Sequence, residues 1–532
     1  MALNAVAAPQ GVPEAPLWQY TVKPGDNLVR IAERYFIHPQ AWAVVQQANK
    51  VADPHRIQPG TVLRIPATLL KKSPGHAVLS QLNGKVRWRQ SNGDWQAATE
   101  GQKLTSGAEL ETPDAASAVL TLADGSRIVV SPGSTLILDT LTLYAGGLMA
   151  DTRLRLPHGQ TDIRANPQQR GNQNLNIRTP SAQAVVRGTE FRVAADETVT
   201  REETLAGLVG VAASGRQVAV AKGLGTLAKA GEAPLPPVAL LPAAETGSLP
   251  KRFEFLPIRF AIPATQGAVG WQGDIAPDRS FERILLSRST TGTALNYTDL
   301  PNGDYLLRLR AVDGNGLRGL DAYHAFTVFA RPFPPGLNTP GNGATVRDIE
   351  ARFAWGDVVD IPRYRLQIAA TDDFASPLHD ETLTGDAWRV PAELPAGALI
   401  WRAASIGSDG LQGPWSRPSR FTYKPGPGAA DLGKAALAVE SDTVLLSLDA
   451  PPEGLVYEAQ IAASKDMASP LTQARSDNGA IQLTRPDAGT YFLGVRLVDP
   501  ADNTPGPLSV QKIEIPSSRL WWLLLLLTLL AL

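Results

Sequence analysis

Residues 20–66 read YTVKPGDNLVRIAERYFIHPQAWAVVQQANKVADPHRIQPGTVLRIP, and their spacing differs from everything that follows. Leu28, Ile31, Ala32 and Tyr35 fall at i, i+3, i+4 and i+7, one stripe of a helix. Asp26 stands before them as the expected N-cap, since a short side-chain oxygen can accept an amide hydrogen of the first turn. Trp42, Val45, Gln46 and Asn49 mark a second helix after Pro39. Tyr20 and Val22 alternate ahead of the first helix, and Leu63 and Ile65 after the second. The pattern predicts strand, helix, helix, strand, with two antiparallel strands backed by helices.

From about His76 to Gly231 the texture changes to short apolar runs between turn signals, such as SAVLTLADGSRIVVSPGSTLIL. Val119, Thr121 and Ala123 alternate with Leu120 and Leu122, and Asp124-Gly125 signals a hairpin turn. This region is read as all-β. Beyond Pro-rich residues 233–249, internal similarity begins. LPNGDYLLRLRAVDGNGLRG, LPAGALIWRAASIGSDGLQG and PDAGTYFLGVRLVDPADNTPG align on Gly303, Gly397 and Gly489, at separations of 94 and 92 residues, the length of a sandwich domain. YRLQIAATDDFASPL (364–378) and YEAQIAASKDMASPL (457–471) are near copies, with FERILLSRS (281–289) taken as a looser third. Trp271, Trp355, Trp401 and Tyr305 are expected in the sandwich cores.

The chain is therefore expected to be multidomain and mainly β. Its expected parts are residues 18–67 as a small βααβ domain, 76–232 as an all-β domain, and 233–249 as a Pro-rich linker. Three β-sandwich domains in tandem follow at 250–331, 332–424 and 430–516. Residues 1–17 are read as a disordered segment or the residual end of a signal peptide, because Ala5-Val6-Ala7 resembles a cleavage region. Residues 519–532 are read as a membrane tail, because LWWLLLLLTLLAL follows Arg519. Thirteen helical residues cover roughly 20 Å, short of the roughly 30 Å hydrocarbon core.

Three stretches resemble known families. Tyr20, Val22, Gly25-Asp26, Leu28, Ile31-Ala32, Tyr35, Asn49, Ile57, Pro59-Gly60, Leu63 and Ile65-Pro66 resemble a LysM domain. That resemblance implies binding of N-acetylglucosamine polymers such as peptidoglycan in a shallow groove between two loops. Carried over by position, the loops are Gly25, Asp26, Asn27, Leu28 and Ile57, Gln58, Pro59, Gly60. Asn27 replaces the Thr or Ser frequent in that family. Gly84 and Val86, Asp124-Gly125-Ser126, Thr179-Pro180, Arg187-Gly188-Thr189-Glu190-Phe191 and Leu208-Val209-Gly210-Val211 resemble a FecR domain, which implies a periplasmic β-scaffold and, in its namesakes, regulation of a sigma factor. The repeats resemble fibronectin type III or Ig-like sandwiches, which implies spacing or docking.

Composition narrows the function. The 532 residues carry a formal net charge of −1, so no basic face argues for nucleic acid. Without cysteine there are no disulfides, thiolate metal sites or cysteine nucleophiles. The six histidines show no metal-ligand spacing, and HExxH, GxSxG and a P-loop are missing. Gly223-Leu224-Gly225-Thr226-Leu227-Ala228 imitates a dinucleotide fingerprint, but the Pro-rich sequence after it cannot form the required helix. Glu202-Glu203 and Asp372-Asp373 are read as solvated charge. The expectation is a non-enzymatic protein of the periplasm or cell envelope, with no catalytic residues, metal or cofactor. Its expected partners are peptidoglycan, a membrane through the tail, and a further envelope protein. The alternative is a FecR-type signalling protein acting on a sensor or sigma-factor system.

Overall fold

A computed structural model describes residues 16–166, 173–186, 189–347, 352–390 and 394–517. Residues 1–15, Arg187-Gly188 and the apolar tail from Arg519 onward, on which three of the sequence readings rest, lie outside the described residues. The chain divides into two compact units, Met1–Ala330 and Arg331–Leu532.

The first unit opens with the expected βααβ arrangement. Strands β1 (Leu17–Thr21) and β2 (Val62–Pro66) pair antiparallel, Leu17 opposite Pro66 and Thr21 opposite Val62. Between them run α1 (Leu28–Tyr35) and, after a 3-10 turn at Pro39–Ala41, α2 (Trp42–Ala48). Alternation along the strands buries Trp18, Tyr20, Leu63 and Ile65 against Leu28, Ile31, Ala32 and Val45. The cap corrects the sequence reading: Asn27, not Asp26, caps α1, its Oδ1 accepting the Arg30 N–H at 2.8 Å. The Asp26 carboxylate is already occupied by the Tyr20 hydroxyl and the Lys23 N–H.

No loose connection follows. Residues Ala67–Leu69 form a 3-10 turn, and Lys72–Pro74 adds a strand beside Thr142–Tyr144. Lys71 Nζ donates to the carbonyls of Glu33 (2.8 Å) and Arg34 (3.1 Å), satisfying free acceptors at the end of α1. Ala145 and Met149 are buried in the same cluster as the helices, so the small domain shares its core with the barrel that follows.

In that barrel the long strand Met149–Arg164 belongs to two sheets. Its first half pairs with Ser134–Tyr144 and, in parallel, with Gln173–Arg178; its second half pairs with Arg127–Val130 and Glu190–Ala195. The ladders close on themselves around one core that includes Leu79, Leu110, Leu120, Ile163, Phe191 and Val209. Asp124-Gly125 forms the hairpin turn, Gly125 at φ +84° and the Asp124 carboxylate accepting from the Ser126 N–H. The glycine-rich imitation at 223–228 lies in the strand Leu224–Lys229. A Cβ on Gly225 would stand 2.8 Å from Leu240 and 3.0 Å from the Glu202 carbonyl, so that glycine answers to packing.

Residues 233–249 are more than a linker. Val238–Ala239 pairs with Leu224–Gly225, and Leu240, Ala244 and Leu249 are buried. The apolar residues between the prolines hold the segment down by burial.

The three repeats share one strand order. In the first, Gly270–Ala276 lies between Leu286–Thr290 and Gly303–Val312, Ala322–Val328 comes next, and Ile258–Ala261 with Ala294–Tyr297 forms the facing layer. In the second unit, Arg363–Ala369 and Val456–Ala462 hold the equivalent central places, each beside its glycine-led strand, Gly397–Ile406 and Gly489–Asp499. Trp271, Trp355 and Trp401 are buried, and the Tyr305 hydroxyl donates to the Pro301 carbonyl at 3.0 Å. One alignment needs correcting. Leu286–Thr290 is the neighbouring strand, so FERILLSRS is out of step with the other two copies. The true counterpart is Gly270–Ala276 and the turn after it. Phe281, Phe374 and Met467, each 93 residues from the next, sit there at φ +51°, +52° and +55° with buried side chains. Left-handed backbone at a bulky residue is uncommon; here side-chain burial under the turn offsets it three times over.

Candidate functional site

The two predicted loops meet. The Gly60 N–H donates to the Val22 carbonyl at 2.8 Å and the Leu28 N–H to the Pro54 carbonyl at 2.8 Å, so the segments after β1 and before β2 are tied by backbone. Gly25 and Gly60 hold φ of +84° and +92°, and a Cβ on either would meet nothing within 4 Å. Both glycines are thus required by turn geometry and border open space. Gln58 and Pro59 are exposed, while Asp26, Asn27 and Ile57 are half-buried. Leu28 is fully buried and belongs to the core. The side chains of Asp26 and Asn27 are engaged as described above, and the Arg30 guanidinium donates to the Gly25 carbonyl at 3.1 Å. Among the described residues, the backbone N–H groups of Gly25, Asn27, Ile57 and Gln58 have no protein partner. The loops therefore offer donors and one apolar wall, the equipment for an acetamido group.

A second constellation lies where the barrel packs on the first sandwich, and sequence reasoning missed it. Glu202 and Glu203, read as solvated, are 1% and 0% exposed. Both faces of the strand Val199–Ala206 are covered, so adjacent residues pointing opposite ways are both buried. Glu203 meets Arg318 at 3.1 Å and Arg192 at 3.6 Å. Arg310 bridges Asp321 (2.6 Å), Asp162 (2.8 Å) and Asp274 (3.4 Å), and Arg308 contacts Asp274 (2.9 Å) and Asp162 (3.2 Å). Four guanidiniums thus face four carboxylates. Burial alone would raise Asp162 and Asp321, but the neighbouring arginines, Arg310 first, hold both well below the usual carboxylate range. Arg192 is lowered to about 10 by burial, with Arg310 adding repulsion. Glu202 stands apart: burial pushes it up to about 8 against the single hydrogen bond from Thr204 Oγ1 at 2.7 Å.

Other charges noted in the sequence are ordinary surface pairs. Glu190 pairs with Arg164 at 2.9 Å, both about two-fifths exposed, and Asp372 pairs with Arg420. Among the described residues no helix is long and apolar enough to cross a membrane.

Comparison with known proteins places two stretches in families: residues 20–66 match the LysM domain, and residues 108–210 match FecR protein. The chain is also 47% identical over 47 residues to an uncharacterized protein of Deinococcus radiodurans, a match covering 9% of this chain and 19% of that one. The chain thus spans about a fifth of this curated relative's length. Among solved structures, a candidate anti-sigma factor from Parabacteroides distasonis aligns at 14% identity with a TM-score of 0.21, over 25% of this chain and 59% of its own. The FN1–FN3 domains of chicken CNTN1 align at 12% identity with a TM-score of 0.23, over 52% of this chain and 99% of theirs.

Proposed function

We propose that this protein is a non-catalytic component of the bacterial cell envelope that grips peptidoglycan through the loops around Gly25–Asn27 and Ile57–Gly60. The barrel would serve as scaffold or sensor, and the sandwiches as docking surfaces. The observation that carries the reading is the coincidence of the LysM match with two loops tied together, open above both glycines and presenting four unpartnered amides. Both matched families are binding or signalling families, which supports a role without catalysis. A periplasmic location and a membrane contact through residues 519–532 belong to the same proposal. The FecR match favours a second reading, in which the barrel passes envelope state to a partner sensor or sigma-factor system.

Titration of the full chain with a neutral four-residue N-acetylglucosamine oligomer tests the first reading. The wild type is expected to bind, and a Gly25→Asp, Gly60→Asp chain at least tenfold more weakly. Aspartate tolerates left-handed backbone better than most residues and its Cβ meets nothing at either site, so the loops gain bulk and charge at the cost of backbone strain, and amide exchange in α1 like that of the wild type is the control that the variant is folded. Absence of binding, or equal binding by both chains, would leave the signalling reading in front. A smaller effect is expected at the cap: Asn27→Ala should cost the βααβ domain about 1 kcal/mol, read as faster amide exchange in α1.

A further inference from the structure

At the other end of the β1–β2 pair from those loops, the small domain and the barrel enclose a cleft of about 950 Å³. Pro16, Ile37 and Thr68 line it from the small domain, and residues of the strands Ser134–Tyr144, Met149–Arg164, Gln173–Arg178 and Gln183–Val186 line it from the barrel. Strands of five residues at about 3.3 Å each set this cleft on the order of 15 Å from the glycine loops. Its floor is ordered by register: Asp151 lies beside Asn174, Arg153 beside Asn176, and Arg178 beside Gln183.

The chemistry of the floor is uneven. The two carboxylates are already answered, Asp139 by Arg155 at 2.6 Å and Asp151 by Asn174 at 2.6 Å and Arg153 at 3.3 Å. The exposed Lys72 and Arg178, with Asn176 and Gln183 between strands, carry no side-chain partner among the described residues. Tyr144, half-buried, adds a ring at one edge. The outcome is a cleft with two unspent positive charges, planar amides and an aromatic face. Hydroxyl-rich ligands are held by planar amides and rings, and a carboxylate by Arg or Lys.

The geometry points to this cleft as a second binding site, separate from the glycine loops, for the carboxylate-bearing part of peptidoglycan, a muramyl sugar with its peptide. The inference rests on the peptidoglycan reading for the class of ligand and adds where its negative charge is received. Lys72 and Arg178 take the carboxylates, and Asn176 and Gln183 take hydroxyls or amides.

The test uses the full chain with the loops silenced by Gly25→Asp, Gly60→Asp, titrated with a disaccharide–tetrapeptide muropeptide at low and moderate salt. Binding is expected to persist, to weaken with salt, and to fall at least tenfold when Lys72→Ala and Arg178→Ala are added. Both side chains are exposed and unpaired among the described residues, so an unchanged melting temperature is expected to accompany the loss. Muropeptide binding absent from the loop-silenced chain, or indifferent to Lys72 and Arg178, would overturn the assignment. The neutral oligomer separates the two readings: if it fails to bind the wild type while the muropeptide result holds, the loops fail and the cleft stands.

Discussion

Replacing Arg310 by alanine is expected to destabilise the first unit by about 3–5 kcal/mol, the usual cost of removing one partner from a buried ionic cluster. The residue is 1% exposed and meets Asp162, Asp274 and Asp321. Without it the ion pairs left to those three carboxylates among the described residues are those of Asp162 and Asp274 with Arg308 and of Asp321 with the more distant Arg192. The penalty therefore comes from stranded negative charge more than from lost attraction. Arg164→Ala, which breaks an exposed pair with Glu190 on the same barrel, should cost no more than about 1 kcal/mol. Amide exchange in Gly303–Val312, the strand that carries Arg310, reads the difference without requiring the whole chain to unfold in one step. Equal protection in the two variants would mean that the cluster contributes little to holding the barrel and the sandwich together.

Stability is expected to fall on the alkaline side as well, and there Glu202 is the cause. Its carboxyl is held protonated in the folded protein up to about pH 8, whereas in the unfolded chain it ionises above about 4.5. The unfolded state therefore gains from each step of rising pH between those values while the folded state does not. The loss amounts to on the order of 3–5 kcal/mol by pH 8. Asp162 and Asp321 act in the opposite direction. Their folded pKa values are depressed, so their stabilisation is present above the ordinary carboxylate range and lost as pH falls through it. Taken by themselves, these three groups favour the weakly acidic range over either side of it. Glu202→Gln keeps an acceptor for Thr204 Oγ1, and it should flatten the slope between pH 5 and 8 and raise stability at pH 8 by a similar amount. A slope unchanged in Glu202→Gln would place the titration elsewhere.

Much of the fold was legible in the sequence because the signals were local. The helical stripe of Leu28, Ile31, Ala32 and Tyr35 needed only its own spacing, and the glycine-led repeat strands announced themselves by recurrence. The failures share a physical origin. Glu202 and Glu203 look like any solvated pair because the layer that covers Glu203 lies more than a hundred residues away, at Arg318, while Glu202 is buried on the opposite face of the strand beside Thr204. The segment 233–249 looked like a linker because proline content masks the burial of Leu240, Ala244 and Leu249. FERILLSRS was misaligned because apolar alternation alone does not distinguish a central strand from its neighbour; the left-handed turn at Phe281 does, and it leaves no mark in composition. For the candidate site, the sequence pointed to the two loops and had Leu28 both in the first of them and on the helical stripe; the structure buries it in the core. The cleft at Lys72 and Arg178 was invisible beforehand, since it exists only where two domains adjoin.

That shared core between the βααβ domain and the barrel has a mechanical meaning. A hook joined by a slack tether lets its load stretch the tether first, so the body behind it registers a pull late or never. Here the ladder between Lys72–Pro74 and Thr142–Tyr144, with Ala145 and Met149 packed under the helices, leaves nothing slack to stretch. If the glycine loops hold a wall strand as proposed, tension in it would arrive at the barrel as displacement of the barrel's own strands.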